Sequence, residues 1–447
     1  MNPNQKEQDD EDYDPHLHRE LEDPSTNFET FLNLLKGVLG TGILAMPEGF
    51  KYAGMINGIV CTMLIGIFST YCFHVLVRSQ YVLCKKNKIG LLPYPHSMKA
   101  ALAIGPKWMR RFSKYAGGIT NFFLIAYQIG TLCVYVIFVG VNIKTVFDQY
   151  IERKILLTFY ILMSLPLCLM LMCVKNFKMF AKVSLFGNVV ALLTIGVIGY
   201  YVFQDLPSFG NRPAFGNWAD FPLYFGTSLF AIQSVPVVVS VENNMATPAN
   251  FLERFGSLNI GFGIVTVLYT IVAMMGYWKY GEDIKSSITL NFPAEEAVGQ
   301  SIRVLYSISI VSSYGLNGIV PIRIIWDDYV ANLQYFNEAN NCKKLMWEYA
   351  LRIVMVLFTF LMALTIPHLG LFISLVGGFC LSMLGIAFPA LMEICVLWPD
   401  RLGKHKWMLW KDLCIVAIGF VGFGASCYAS IRDIYTELSA GNTIGST

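Results

Sequence analysis

Beyond residue 30 the chain reads as apolar blocks of about twenty residues separated by short polar connections. A helix of that length rises ~30 Å, the thickness of a bilayer's hydrocarbon core. The pattern predicts about eleven membrane-spanning helices, at roughly 31–51, 55–78, 117–142, 155–174, 181–203, 221–241, 257–278, 298–320, 351–367, 370–396 and 412–431. The expected fold class is therefore all-α and polytopic.

Two of the blocks are interrupted. Span 1 contains "KGVLGTGILAMPEG", Lys36 to Gly49, with Gly37, Gly40, Gly42 and Pro47. Irregular backbone at membrane depth is tolerated only where it lines a cavity or is buried in protein. Unwinding at Gly40-Thr41-Gly42, just ahead of Ile43, would leave free N–H groups and a positive dipole end on the following half-helix, a site for a carboxylate. The preceding half-helix would leave carbonyls suited to an ammonium group or a cation. Glycine also permits close helix packing, and Gly37 with Gly40 fits that reading too.

Span 6, "FPLYFGTSLFAIQSVPVVVSVENN", carries Gly226-Thr227-Ser228 in its first turns and Pro236 later. It follows span 1 by five spans and runs the opposite way. Interrupted helices at corresponding, inverted positions point to the central site of a secondary transporter. Spans 1–5 (about 31–203) and 6–10 (about 221–396) would be inverted repeats, with span 11 an addition and 432–447 a short exoplasmic tail.

Composition agrees. The chain is 55% hydrophobic and 14% charged, against ~25% charged for soluble proteins. Its net charge of +3 says little, because the charges are segregated into connections. With the N-terminus in the cytosol, inside segments hold roughly 23 Lys and Arg and outside segments about 9, which sets that orientation. The first thirty residues have no apolar core, so no cleaved signal peptide is expected. About ten of them are acidic, which predicts a disordered tail over 1–30 that either solubilises the protein or docks a cytosolic partner. None of the eleven cysteines falls in an expected outside connection, and no Asn-x-Ser/Thr sequon occurs.

At "FLNLLKGVLGTGILAMP", "FGTSLFAIQSVPVVVSVENNM", "YGEDIKSSITLNFP" and "PHLGLFISLVGGF" the chain resembles the proton-coupled amino acid transporters of the amino acid/auxin permease superfamily, and most of all their insect branch. The resemblance covers nearly everything after the acidic tail. It implies the inverted-repeat fold of sodium-coupled leucine transporters and small amino acids as substrates. Two positions depart from mammalian relatives. Asn33 stands where those have a histidine tied to proton coupling, and Gln233 where they tend to have a glutamate. Both keep a hydrogen-bonding group and remove a titratable one, which leaves facilitative transport and proton coupling through another group both open. The family's exoplasmic cysteine pair is absent.

Candidate substrate contacts are Gly40, Thr41, Gly42 and Ile43 in span 1, Gly226, Thr227, Ser228, Phe230 and Gln233 in span 6, and Tyr127 with Gln128 in span 3. The hydroxyls could instead bond the i−4 carbonyl, Gln233 could join two helices, and Tyr127 could be a core aromatic. Phe225, Phe230 and Tyr224 suit a pocket trimmed for neutral side chains. Candidate coupling or gating residues are Asn33, Lys36, Glu242, Ser312 and His74. Lys36 either takes a cation's place against the span 1 carbonyls or snorkels to the interface. Glu242 would latch onto Lys36. Ser312 and Ser313 either complete a cation site or pack as small residues, and His74 is a proton relay or an interfacial histidine beside Arg78. Glu393 is placed near the interface, before Trp398 and Pro399.

The reading is a secondary transporter of neutral amino acids working by alternating access, in the plasma membrane or a lysosomal or late endosomal membrane. The alternative is an amino-acid sensor that signals through its tail. Expected partners are a neutral amino acid, protons where transport is coupled, membrane lipids and a cytosolic partner of the tail, but no nucleic acid. No HExxH, paired intramembrane Asp or His cluster suggests an enzyme, a metal or a cofactor, and no ring-forming charged segment suggests a channel.

Overall fold

The computed structural model describes residues 13–21, 23–151, 155–174, 177–204, 207, 212–293, 295–331, 333, 340–399 and 401–439. Among them there are helices and one isolated bridge, Ser25 to Met245, but no strand. Eight helices are long and apolar enough to cross a membrane, and a bent pair makes a ninth. The pair is span 1, whose halves Asn27–Val38 and Thr41–Ala53 meet at 53°. Spans 2 and 3 are Met55–Asn87 and Ser113–Phe147. Shorter apolar helices, Leu157–Met163 with Leu165–Cys173, stand at the position of span 4, and Phe177–Phe203 at that of span 5. Span 6 is Phe221–Ile232 followed by Val235–Asn243. Spans 7, 8 and 9 are Ser257–Tyr280, Ala297–Ile325 and Asn341–Thr365. Span 10 runs Leu369–Val376, continues as a π-helix over Gly377–Ala387 and ends Phe388–Leu397; span 11 is Trp407–Ser439.

Glycines decide how the central helices meet. The second half of span 1 lies on the first half of span 6, where a methyl added to Gly42 would stand 2.6 Å from Ala231 Cα. A Cβ on Gly37 would run into Val237, joining the other two halves, and one on Gly226 would run into the Ser374 carbonyl of span 10. These are close-approach positions, where only hydrogen fits. Gly40 is different. Its nearest neighbour for an added Cβ is 4.0 Å away, and its backbone is extended. So Gly37 and Gly42 pack, and Gly40 marks the break.

Two features were not expected. The connection between spans 2 and 3 folds into a helix, Tyr94–Ile104, packed on span 3. The tail is not wholly disordered either. From residue 13 its described residues dock onto the end of span 6: Ser25 N–H donates to Asn244 O (2.8 Å) and Ala246 N–H to Ser25 O (2.9 Å). Thr26 then starts span 1 as a capping box with Glu29. Residues 1–12, which carry about half of the tail's acidic side chains, lie outside the described residues.

Candidate functional site

Both interrupted helices open onto one cavity of about 350 Å³. From span 1 it is lined by Asn33, Lys36, Gly37, Leu39 and Gly40, and from span 6 by Ser234, Pro236 and Val237. Span 3 adds Tyr127, Gln128, Thr131 and Tyr135; span 8 adds Tyr306, Ser309, Ser313 and Asn317. The lining is polar but nearly uncharged. Among the described residues Lys36 is its one charged side chain, and no carboxylate faces it.

Each break presents a helix N-terminus without a side-chain cap. Gly40 precedes Thr41, and Ser234 precedes Val235. Their first-turn N–H groups and dipoles favour negative charge in the cavity. The carbonyls at the first break are already engaged. The Tyr269 phenol donates to Val38 O (2.8 Å) and the Tyr306 phenol to Gly40 O (3.2 Å). Lys36 does not hold them; its side chain is exposed on the cavity wall, and among the described residues it makes no ion pair or hydrogen bond.

The break in span 6 lies seven residues beyond Gly226, at Gln233-Ser234. Pro236 is its cause. As the second residue of the following half-helix it lacks the N–H that would bond Ile232 O, while an N–H there needs no partner at a helix start. Gly226, Thr227 and Ser228 are buried inside an unbroken helix. Thr41, Gly42 and Ile43 are likewise buried behind the first break and do not line the cavity.

Gln233 turns away from the cavity. Its amide donates to Ser69 Oγ of span 2 (3.1 Å), and its Oε1, which has no donor, points at Gly385 of span 10. Phe230 is buried with its ring 6.5 Å from Tyr127, without lining the cavity. Tyr224 and Phe225 trim no pocket: Tyr224 shares a hydrogen bond with Thr62 (2.7 Å), and Phe225 packs on Gly422.

The gating candidates separate in the same way. Asn33, Lys36 and Ser313 are on the wall, while Ser312 bonds its own helix at Ile308 O (2.8 Å). His74 shares a hydrogen bond with Asn259 of span 7 (2.8 Å), away from the cavity. Glu242 does not reach Lys36; it is buried against the docked tail, where Arg19 Nη2 stands 2.7 Å from its Oε1 and Nη1 donates to its carbonyl (2.9 Å). Beside this pair the His16 ring lies tilted against Tyr81 (4.6 Å between centroids), and burial together with Arg19 lowers its pKa against the pull of Asp14.

Two further cavities flank the first. One of about 400 Å³, lined by Tyr94, Asn121, Asn243 and Asp328, shares Gln128 and Pro236 with it. Another of about 790 Å³, between Glu48, Tyr52, His368 and Asp433, shares no residue with it. Sequence reasoning missed Ser234, Tyr269 and Tyr306. Ser234 had a signal, the Ser-x-Pro spacing of a helix start; the phenols had none, since they arrive from spans 7 and 8.

Two interrupted helices facing each other across a polar cavity, within a bundle of membrane spans, define a transporter of inverted-repeat fold. The chain matches the family described as transmembrane amino acid transporter protein over residues 23–432, and it belongs to that family. A Drosophila melanogaster protein, proton-coupled amino acid transporter-like protein pathetic, is 34% identical over 97% of this chain and 90% of its own length. The probable amino acid transporter skat-1 of Caenorhabditis elegans is 25% identical over 93% and 92%. Among solved structures, the inward-facing conformation of Mhp1 superposes with a TM-score of 0.52 at 10% identity, covering 95% of this chain and 92% of that one, a likeness of fold.

Proposed function

We propose that this protein moves neutral amino acids across a membrane by alternating access, with the substrate held between the breaks of spans 1 and 6. The observation that carries the reading is the cavity onto which both uncapped half-helices open. The positive dipole end of the half-helix that starts behind Gly40 favours the substrate carboxylate. Tyr127 and the hydroxyls of Thr131, Ser309 and Ser313 surround what is left of the cavity. A wall with one lysine and no carboxylate disfavours a cationic side chain. The relatives' names support an amino acid as the substrate.

Basic residues in the connections support a cytosolic N-terminus. On that orientation the cavity that shares Gln128 and Pro236 is the cytosolic vestibule, and the separate one near His368 is exoplasmic. The described conformation then connects the site to the cytosol. Among the described residues no carboxylate or histidine lines the cavity wall, and Asn33 stands where a titratable residue would be expected from the resemblance. Transport through the cavity alone is facilitative; coupling needs a carboxyl elsewhere.

The test is uptake of a labelled neutral amino acid panel into oocytes, with current recorded at external pH ~5.5 and ~7.5. Saturable uptake supports the reading, and an inward current that grows at low pH adds coupling. No uptake from a protein verified at the surface overturns it.

A further inference from the structure

Away from the cavity, where spans 2, 10 and 11 meet, lies a buried group of charges with an imbalance. Lys411 Nζ stands 2.6 Å from Glu393 Oε2 and 2.9 Å from Asp412 Oδ1, and it donates to the Tyr71 phenol. The Asp412 side chain has no exposed surface, and beyond the Lys411 contact neither of its oxygens receives a hydrogen bond. Glu393 and Lys411 are 19% and 17% exposed, whereas Asp412 is wholly enclosed. The other titratable side chains beside it are Tyr71 and Cys72 of span 2, with Tyr94 behind Cys72, its hydroxyl committed to Leu384 O (2.7 Å).

Two carboxylates therefore share one ammonium. With both ionised, the group keeps one uncompensated negative charge in a site closed to water on the Asp412 side. Burying an uncompensated charge is unfavourable, and one bound proton removes it. Glu393 makes the shorter, hydrogen-bonded contact with Lys411. Asp412 has the Lys411 ammonium beside Oδ1 and no donor at Oδ2. A metal cation would have to displace Lys411, whereas a proton needs no extra space.

We propose that Glu393 and Asp412 form a proton-binding pair. The proton arrives from water by way of Glu393 and adds to an Asp412 oxygen; one O–H bond forms, and the group becomes neutral with Lys411. The pair titrates as a unit. Tyr71 is two residues from Ser69, the hydroxyl that holds Gln233 at the break of span 6.

The inference rests on this geometry and not on the transport reading, and its test uses no substrate. Purified full-length protein in lipid nanodiscs is titrated from pH ~9 to pH ~5 while proton uptake and the infrared difference spectrum are recorded. Asp412→Asn and Glu393→Gln are each expected to take up about one proton fewer than the wild type and to lose the same protonated-carboxyl band. Asp412→Glu is expected to keep the proton and shift the band. Should Asp412→Asn fail to fold, the more exposed Glu393→Gln gives the same readout. A proton count and band unchanged in a folded Asp412→Asn or Glu393→Gln would overturn the proposal.

Discussion

The breaks of spans 1 and 6 face one cavity but are built from different residues. In span 1 the chain turns at Gly40, whose surroundings are open and whose carbonyl is tied to Tyr306. In span 6 the glycine is not at the break at all. Gly226 lies inside a helix pressed on span 10, and Pro236 makes the interruption at Gln233-Ser234. A glycine in a membrane helix thus has two meanings, close approach or unwinding, and its neighbours in space decide which. A proline two residues past a serine has one, the start of a helix.

That contrast can be broken at the glycines, where the largest effect is expected. Gly226→Val drives two methyls into span 10 and, by overpacking of ~3 kcal/mol or more, should abolish the monodisperse folded peak in detergent. Gly40→Ala should leave that peak intact, because its Cβ meets nothing closer than 4.0 Å. Equal loss in both variants would show that the two glycines do the same job. Pro236→Ala comes next. Restoring the N–H that can bond Ile232 O should heal span 6, raising the melting temperature while lowering uptake at least ~10-fold. Uptake at the wild-type level would mean the break at Gln233-Ser234 is dispensable.

The tyrosines sharpen the comparison further. Tyr269→Phe and Tyr306→Phe each remove one donor from the first break, at ~1 kcal/mol apiece in thermal unfolding, more where the carbonyl is left buried. Gln233→Leu should change stability by less, since its Oε1 is already without a donor, and should leave the substrate KM unchanged. A KM shift would put Gln233 back in the cavity. The smallest effect belongs to the tail. His16 is held neutral by burial and by Arg19, so its contribution to docking is full above its ordinary value of 6.5 and is lost as pH falls through the lowered one. Proteolysis of the tail should speed up as pH falls below that value, and in His16→Gln this pH dependence should vanish.

How much of this could be read from the sequence follows from which signals are local. Apolar block length fixes a membrane helix within its own twenty residues, so the positions of spans 2, 3, 7, 8 and 11 were legible. The first break was legible too, because a glycine inside an apolar block weakens the helix there. The second was misplaced, because a glycine that packs and a glycine that unwinds look alike until the neighbour is known. Pairings between distant segments were not legible at all. Arg19 with Glu242, Lys411 with Glu393 and Tyr269 with Val38 join residues brought together by the fold alone.

The central claim, that the cavity between the breaks holds the substrate, is tested most directly by protection. A cysteine placed at Ser313, on a wall that none of the native cysteines reaches, can be labelled with a thiol reagent with and without each member of a neutral amino acid panel. One placed at Thr436 in the separate cavity serves as the control. At least one amino acid is expected to slow labelling at 313 saturably and leave 436 unchanged. Labelling at 313 that no panel member slows, in a protein that still takes up amino acids, would place the substrate somewhere else.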